Sequence, residues 1–510
     1  MALDNWQSFA FEFQGGLVTN LSPLQHGVKL PGSARILRNF EPSIDGGFKR
    51  IEGYAKFDSA QLAGSGLVRG IAVFSGNVVV ARNEHVYISS GSGWTQLTDN
   101  ATYSSTGLTL GGIGPVRFAE HMFSGTKTLI IVDGASKPFK FDNSSFLSIT
   151  TATGDVEDST FVVEHQDHLF FAKNNTLIYT APLSDTDFTA ASGSGIISFK
   201  NNITGLVSFR NQLVVFTPKS IDVISGTSFA DFVKSNVTND VGAVKEDTVQ
   251  EIGGDIMFLG PDGLRLFSAT DRINDFGLGV VSKPIQNELT NLLTRCTSFS
   301  SVVIREKSQY RLLGFNSSFT DASALGVLGT QFSQQGGEDI GWAEIRGINA
   351  YVSASNRDET QEIVVFANDD GYVYRMEEGS SFDGDNIVAT FATPFVYIND
   401  PQIRKSFYKL NIYTDPQGSF ESVVNLKLDF DTEGTVQPPE IEFSNITSTV
   451  SLYGVSTYGS GSFGGKLKKI FSTQTVGSGF NVSLEFVSDS QTPPFSLDAA
   501  TLEFATHGRR

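Results

Sequence analysis

The stretch GIAVFSGNVVVARNEHVYISS, residues 70–90, decides the fold. An apolar run leads into a short polar turn, and a second apolar run with period-two alternation follows. That is the pattern of strands joined by tight hairpins. The same theme returns at 128–141, 161–181, 205–225, 255–269, 301–315 and 362–376. Each unit is a strand, a turn rich in Gly, Asp, Asn or Pro, and an alternating strand. The units recur about every 40 to 50 residues, the spacing of propeller blades. No WD or kelch signature repeats. The expected fold is all-β: a propeller of about six to seven blades with a C-terminal β-sandwich-like module and a few short helices. A pair of large β-sandwiches is the rival architecture.

Outward from the repeat, the chain divides by composition into 1–57, 58–394 and 395–510. The C-terminal part carries alternating strands at 407–414, 422–431, 468–475, 480–488 and 500–506, interrupted by proline pairs and by YGVSTYGSGSFGG (453–465). The N-terminal part has one aromatic alternation, Phe9, Phe11 and Phe13. KLPGSARILRNF (29–40) follows, where Pro31 suits a first helical turn and Ala34, Ile36, Leu37 and Phe40 can share a face. The spacing therefore predicts a helix over 29–40. A glycine turn at Gly46-Gly47 and the pair Lys49-Arg50 come next. A second helix is predicted over 282–295, with Ser282 as N-cap and Ile285, Leu289, Leu292 and Leu293 at helical spacing.

The totals exclude several classes. With 55 acidic against 37 basic residues the net charge is −18, which argues against gripping nucleic acid, since phosphate binding runs on Lys and Arg. Cys296 is the one cysteine, so neither an internal disulfide nor a cysteine metal site is available. The opening MALDNWQSFAFEF lacks a signal-peptide pattern, and no apolar run is long enough to span a bilayer. The N-x-S/T triplets read as loop residues. The 51 glycines and 42 phenylalanines suit a turn-punctuated β-protein.

No catalytic constellation stands out. SSGSGWTQL, ending its turn at Trp94, is similar to part of the aspartate box of sialidase-type propellers, but Ser90 occupies the Asp position and the motif occurs once. HQDH (165–168) reads as a polar hairpin turn, because three-residue spacing along a strand puts the two rings on opposite faces. NDDG (368–371) and FDGDN (382–386) read as turns without the remaining EF-hand ligands. Gly111-Gly112-Ile113-Gly114 has no helix after it to present N–H groups to phosphate. No cofactor and no metal site is expected.

Basic residues gather near the start. Lys29, Arg35, Arg38, Lys49, Arg50 and Lys56 face only Glu41, Asp45 and Glu52. Lys29, Arg35, Arg38, Asn39, Lys49 and Arg50 are the candidate docking and assembly residues. A second contact patch is Lys466, Lys468 and Lys469 with Arg509 and Arg510.

LSPLQHGVKLPGSARILRNFEPSIDGGFKRIEGY (21–54) resembles the opening of phage tail nozzle proteins, also called tail tubular protein B, and of the tail-hub or DNA-stabilisation proteins of short-tailed phages. The shared features are a helix ending in a conspicuous Asn, here Asn39, then a glycine turn, a basic residue and a glycine before the first strand. FLGPDGLRLFSATD (258–271) with VVSKPIQNEL (280–289), and SLDAATLEFATHGRR (496–510), resemble later parts of the same proteins. The resemblance implies a non-enzymatic homo-oligomer, a hexameric ring below the head-to-tail connector, assembled in the host cytoplasm and resident in the virion tail. Its partners would be connector or adaptor proteins, tail fibres or spikes, and double-stranded DNA that passes without specific binding. An acidic lumen would let phosphate slide. The alternative reading is a propeller that binds or processes carbohydrate.

Overall fold

The computed structural model describes residues 6–44, 46–98, 109–149, 156–268, 279–320, 323–334, 337–357, 361–444 and 469–507. The protein is all-β, with a propeller and a few short helices. Blade 1 holds Val68–Phe74, Asn77–Arg82, His85–Ser89 and Thr95–Gln96. Blades 2, 3 and 4 are four-stranded sheets over Arg117–Ser148, Phe161–Ser198 and Gly205–Thr238, and blade 5 has three strands over Gln250–Leu266. Val352–Arg357, Glu362–Ala367 and Val373–Met376 form the last blade, whose fourth strand is Tyr54–Lys56 from the start of the chain. Between blade 5 and the last blade stand Ser298–Ile304, Gln309–Phe315, Leu325–Gln334 and Gly337–Arg346, which belong to a nine-stranded sheet. The ring thus has six discrete blades and a seventh sector lent by the large sheet. The innermost strands pack each beside the next around a closed circle.

The repeat has a local cause. The hairpin between the first two strands turns on Ser75-Gly76, Gln166-Asp167, Arg210-Asn211 and Gly253-Gly254 in blades 1, 3, 4 and 5, with both residues at positive φ each time. Two left-handed residues make a type I′ turn, which matches the right-handed twist of the strands it joins.

The sandwich module is built from both ends of the chain. Gln7–Glu12 pairs with Phe495–Thr506, which pairs with Lys405–Pro416. This sheet faces the far half of the nine-stranded sheet, made of Ile387–Ala392, Val482–Ser490, Glu421–Leu428 and Ile441–Ser444. Phenylalanine fills the space between them. Phe391 stacks on Phe486 at 5.5 Å and takes Phe13 and Phe48 at 4.8 and 4.7 Å, while Phe420 stacks on Phe495 at 4.6 Å. The divisions at 57 and 394 therefore cut across the pairing, since residues 7–50 complete the C-terminal module and 54–56 complete the propeller.

The helix expected over 29–40 does not form. The helix is Pro23–Lys29, and Ile36–Arg38 and Phe40–Pro42 are strands. Ala34, Leu37 and Phe40 are buried in one core and Ile36 is half-buried, but the chain that carries them is a bridge residue and two short strands rather than a helix. The break is Asn39, at φ 52. On one side of it the chain pairs with Phe391 and with Glu344 in the large sheet, and on the other with Phe48–Arg50 in the sandwich sheet. The second predicted helix does form, as a short 3-10 turn at Lys283–Ile285 and an α-helix at Gln286–Arg295. Leu289 and Leu292 are its buried side.

Asn39 is fully hydrogen-bonded at this crossing. Its Nδ2 donates to Val388 O at 2.9 Å, its Oδ1 accepts from Arg346 N at 2.8 Å, and its own N–H reaches Glu344 O at 2.9 Å. An Asn39→Ala variant loses both side-chain bonds and strains a left-handed residue. We expect a loss of about 3 kcal/mol in urea unfolding. Asn39→Gly keeps the backbone angle and should lose less than the alanine variant. Equal stability of alanine variant and wild type would remove Asn39 from this role.

Candidate functional site at the seam of the two modules

The six N-terminal candidates separate by burial. Asn39 and Arg50 are interior residues. Arg50 donates to Ser490 O at 3.0 Å, to Ser490 Oγ and to Thr492 O, and burial pushes its pKa down to about 10. It ties the hairpin to the end of a sandwich strand and offers nothing to a partner. Arg35 is spent in the same way, with Nε on Thr393 O at 3.1 Å and its guanidinium over the Phe395 ring. Burial lowers its pKa, against the charges of Glu485 and Asp431. Lys29, Arg38 and Lys49 remain at the surface. Arg38 binds Glu344 at 3.0 Å, and Lys49 binds Glu52 at 2.9 Å. Reading all six as one docking patch is corrected by these positions. Of the second patch, Lys469 is exposed and paired with Asp415. Lys466, Lys468, Arg509 and Arg510 lie outside the described residues, as does Asp45.

Lys49 and Lys469 border one groove of about 510 Å³ between the sandwich and the Glu306-Lys307 turn of the propeller. The turn at Ser43–Gly47 forms its lip. Gly47, at φ 75, lies so close to the sandwich that a Cβ there would sit 2.5 Å from Leu497 O. The groove floor is a buried ion cluster that the sequence did not disclose. Lys307 Nζ meets Glu41 at 2.8 Å and also Glu377, while Arg311 meets Glu377 at 2.7 Å and Glu41 at 3.4 Å. Burial alone would lower the Lys307 pKa, but Glu41 and Glu377 outweigh it and hold the ammonium charged. Burial would raise Glu377, and Arg311 and Lys307 instead keep it well below the usual carboxylate range. Glu41 lies 266 residues before Lys307, and Glu377 stands in a different blade from Lys307 and Arg311, so no local motif marks the cluster.

The propeller axis is a cavity of about 380 Å³, lined in turn by Ile71, Ala119, Val162, Leu206, Gln250, Ser300 and Ala354 from the seven inner strands. One mouth is bridged. Arg117 of blade 2 reaches across to the segment entering blade 5, with Nε on Asp247 at 2.6 Å and Nη2 on Asp247 and Glu246 at 2.8 and 2.6 Å. It also donates to Thr160 O at 2.8 Å and lies over the Phe161 ring at 4.0 Å. Burial would lower its pKa, and the two carboxylates raise it instead. Asn356 donates to Val73 O and Glu120 nearer the other mouth.

The remaining sequence features resolve into packing. At the Trp94 turn the missing box aspartate is replaced by Asp58, which accepts from Ser89 Oγ and Gly93 N, both at 2.6 Å. Trp94 Nε1 caps Ala60 O at 3.0 Å. Burial would raise the Asp58 pKa, and hydrogen bonds from Ser89, Ala60 and Gly93 pull it below its usual value. NDDG is the turn into Val373–Met376, and Phe382 of FDGDN stacks on Tyr54 at 4.9 Å. HQDH is the turn Gln166-Asp167, but the parity argument fails there. His165 and His168 are direct partners across the hairpin, so both side chains leave the same face. They diverge, His165 Nδ1 to Ser208 Oγ at 2.9 Å and His168 Nδ1 to Thr180 O at 2.6 Å. Among the described residues no group of three or more His, Cys, Asp and Glu stands together, and no helix is long and apolar enough to cross a membrane.

No family model and no curated protein matches the chain. Among solved structures it is similar to the extracellular domain of a protein from B. thetaiotaomicron described as a one-component system, with 12% identity and a TM-score of 0.39 over 70% of this chain and 43% of that one. The chain thus spans less than half the length of that structure. It is also similar to the computationally designed Ika8 protein (11% identity, TM-score 0.34, 63% of this chain and 99% of that one). The AfRom2 CNH domain gives 10% identity and a TM-score of 0.36 over 64% of this chain and 99% of that one. Likeness at this level says nothing of function.

Two outcomes are expected. Arg117→Met leaves two carboxylates without their partner and should cost about 2 kcal/mol, while Arg117→Met with Asp247→Asn should recover part of it in a double-mutant cycle. Additive losses would mean the bridge carries no coupling. His165 has its pKa lowered to about 4, by burial first and by His168 second. The unfolded chain therefore binds more protons than the folded one between about pH 6.5 and pH 4, and stability falls as pH falls through that window. A melting temperature that drops from pH 7 to pH 4, and drops less in His165→Gln, is the expected result. An identical pH slope in the variant would clear His165.

Proposed function

We propose that this protein is a structural subunit of a short phage tail. It forms the ring, a hexamer, below the head-to-tail connector, extends the DNA conduit, helps retain packaged DNA and guides its ejection. Connector proteins and tail fibres or spikes are its neighbours in the virion. The observation that carries this reading is the weld between the two modules. One nine-stranded sheet runs from the propeller into the sandwich, and residues 36–56 stitch the last blade, the large sheet and the sandwich sheet together. A body joined by continuous hydrogen-bonded sheet has no hinge at the seam, which suits a part that must transmit load rather than close on a substrate.

Two further features support it. The propeller axis is a small chamber bridged by Arg117, so duplex DNA needs another path, which the axis of a ring of subunits provides. The net charge of −18 gives such a ring an acidic wall that phosphate does not grip. The carbohydrate alternative loses its motif, because the Trp94 indole packs beside Phe57 and caps a backbone carbonyl.

Negative-stain microscopy of the purified protein, and of tails labelled with an antibody to it, tests the proposal. Six-fold rings and label at the tail are expected. A protein that stays monomeric at all concentrations and is missing from particles would overturn it.

A further inference from the structure

The chamber on the propeller axis has two kinds of wall. Ile71, Ala119, Val162 and Leu206 give it an apolar arc from blades 1 to 4. Every serine of the wall lies in the remaining arc, Ser300 and Ser301 from Ser298–Ile304 and Ser353 and Ser355 from Val352–Arg357, with Gln250 of blade 5 beside them. Ser353 Oγ donates to Ser300 Oγ at 3.1 Å, which leaves the proton of the buried Ser300 hydroxyl to be given. Gln250 Nε2 donates to Ser301 O at 3.0 Å and keeps its side-chain oxygen as an acceptor. Each inner strand is also the end strand of its sheet, so a row of backbone N–H and C=O groups is turned to the axis.

Charge in this wall is already paired. Its charged side chains among the described residues are Arg69, Arg117, Glu120 and Asp247. Arg69 donates to the carbonyls of Gly114, Asn83 and Gly111 at 2.8, 2.7 and 2.9 Å. Arg117 holds Asp247, and Glu120 takes Lys127 at 2.8 Å and Asn356 at 3.2 Å. We propose that the axial chamber binds one small neutral polyol of monosaccharide size. Its volume of about 380 Å³ lies in the range of small-molecule sites. A hydroxyl donates and accepts at once, so it suits a wall where N–H, C=O and O–H groups are mixed. The C–H surface of the same molecule suits the apolar arc. A charged ligand would lose its hydration without gaining a free counter-charge. The site is separate from the Trp94 turn, and it stands whether or not the chain forms a ring.

Isothermal titration calorimetry on the full chain tests the proposal. The neutral probes are myo-inositol, D-glucose and D-mannitol at millimolar concentration, and gluconate and glucosamine are the charged counterparts. At least one neutral probe should bind at a single site, about tenfold or more tightly than either charged one. On binding, amide hydrogen exchange should slow in Ser298–Ile304 and Val352–Arg357 and not in an outer strand such as Phe146–Ser148. Ser300→Ala should weaken binding about tenfold, and Ala119→Met, which fills the chamber from its apolar side, should abolish it. Failure of all three neutral probes to bind, tighter binding of a charged probe, or binding that leaves exchange along the inner strands unchanged would each overturn the proposal. The exchange pattern of the wild type decides the case if either variant misfolds.

Discussion

A chain that passes from one sheet to another inside a protein must turn sharply without stranding its amides. Asn39 is where this protein meets that constraint. The left-handed residue redirects the backbone between Ile36–Arg38 and Phe40–Pro42, and its side chain reaches the strands on either side of the gap. A buried unpaired amide costs on the order of 1 to 3 kcal/mol, so the residue here must supply a donor and an acceptor as well as tolerate positive φ. Asparagine does all three. The pairing of residues 36–38 and 40–42 with two separate sheets follows from that one turn.

The seam also explains the charge chemistry. Glu41 leaves the turn directly toward Lys307 and Arg311, and Gln309 Nε2 adds a hydrogen bond to it at 3.0 Å. Charges taken from water need such complete pairing, and removing one member leaves the others exposed to the full desolvation cost. The cluster therefore reads as a register pin between propeller and sandwich. Arg50 is the contrasting case, a buried guanidinium satisfied by carbonyl and hydroxyl oxygens, with its Nε unpartnered.

Much of the fold was legible because it is periodic. Period-two alternation and turn residues mark the blades, and the helix at 286–295 shows in Leu289 and Leu292. What was not legible is long-range. Ala34, Leu37 and Phe40 have helical spacing although two short strands broken at Asn39 carry the last two into one shared core, and local pattern alone cannot tell that from one helix. The parity rule failed at His165 and His168 because a type I′ hairpin folds the strand back between them. At the site, Lys49 was visible from sequence, but Lys307, Arg311 and Glu377 became its neighbours only through topology. Arg50 looked like a surface cation because its burial depends on strand 482–490, more than 400 residues later.

The exchange of strands between the chain's two ends sets an order of events during synthesis. Gln7–Glu12 leaves the ribosome nearly 500 residues before its partner Phe495–Thr506. Tyr54–Lys56 likewise waits for Val373–Met376. Blades 1 to 4 pair within themselves and can form as they emerge, while Gln7–Glu12 stays without its partner until Phe495–Thr506 has been made. The sandwich cannot close without Phe495–Thr506, so a product terminated before that strand would leave Gln7–Glu12 without its partner.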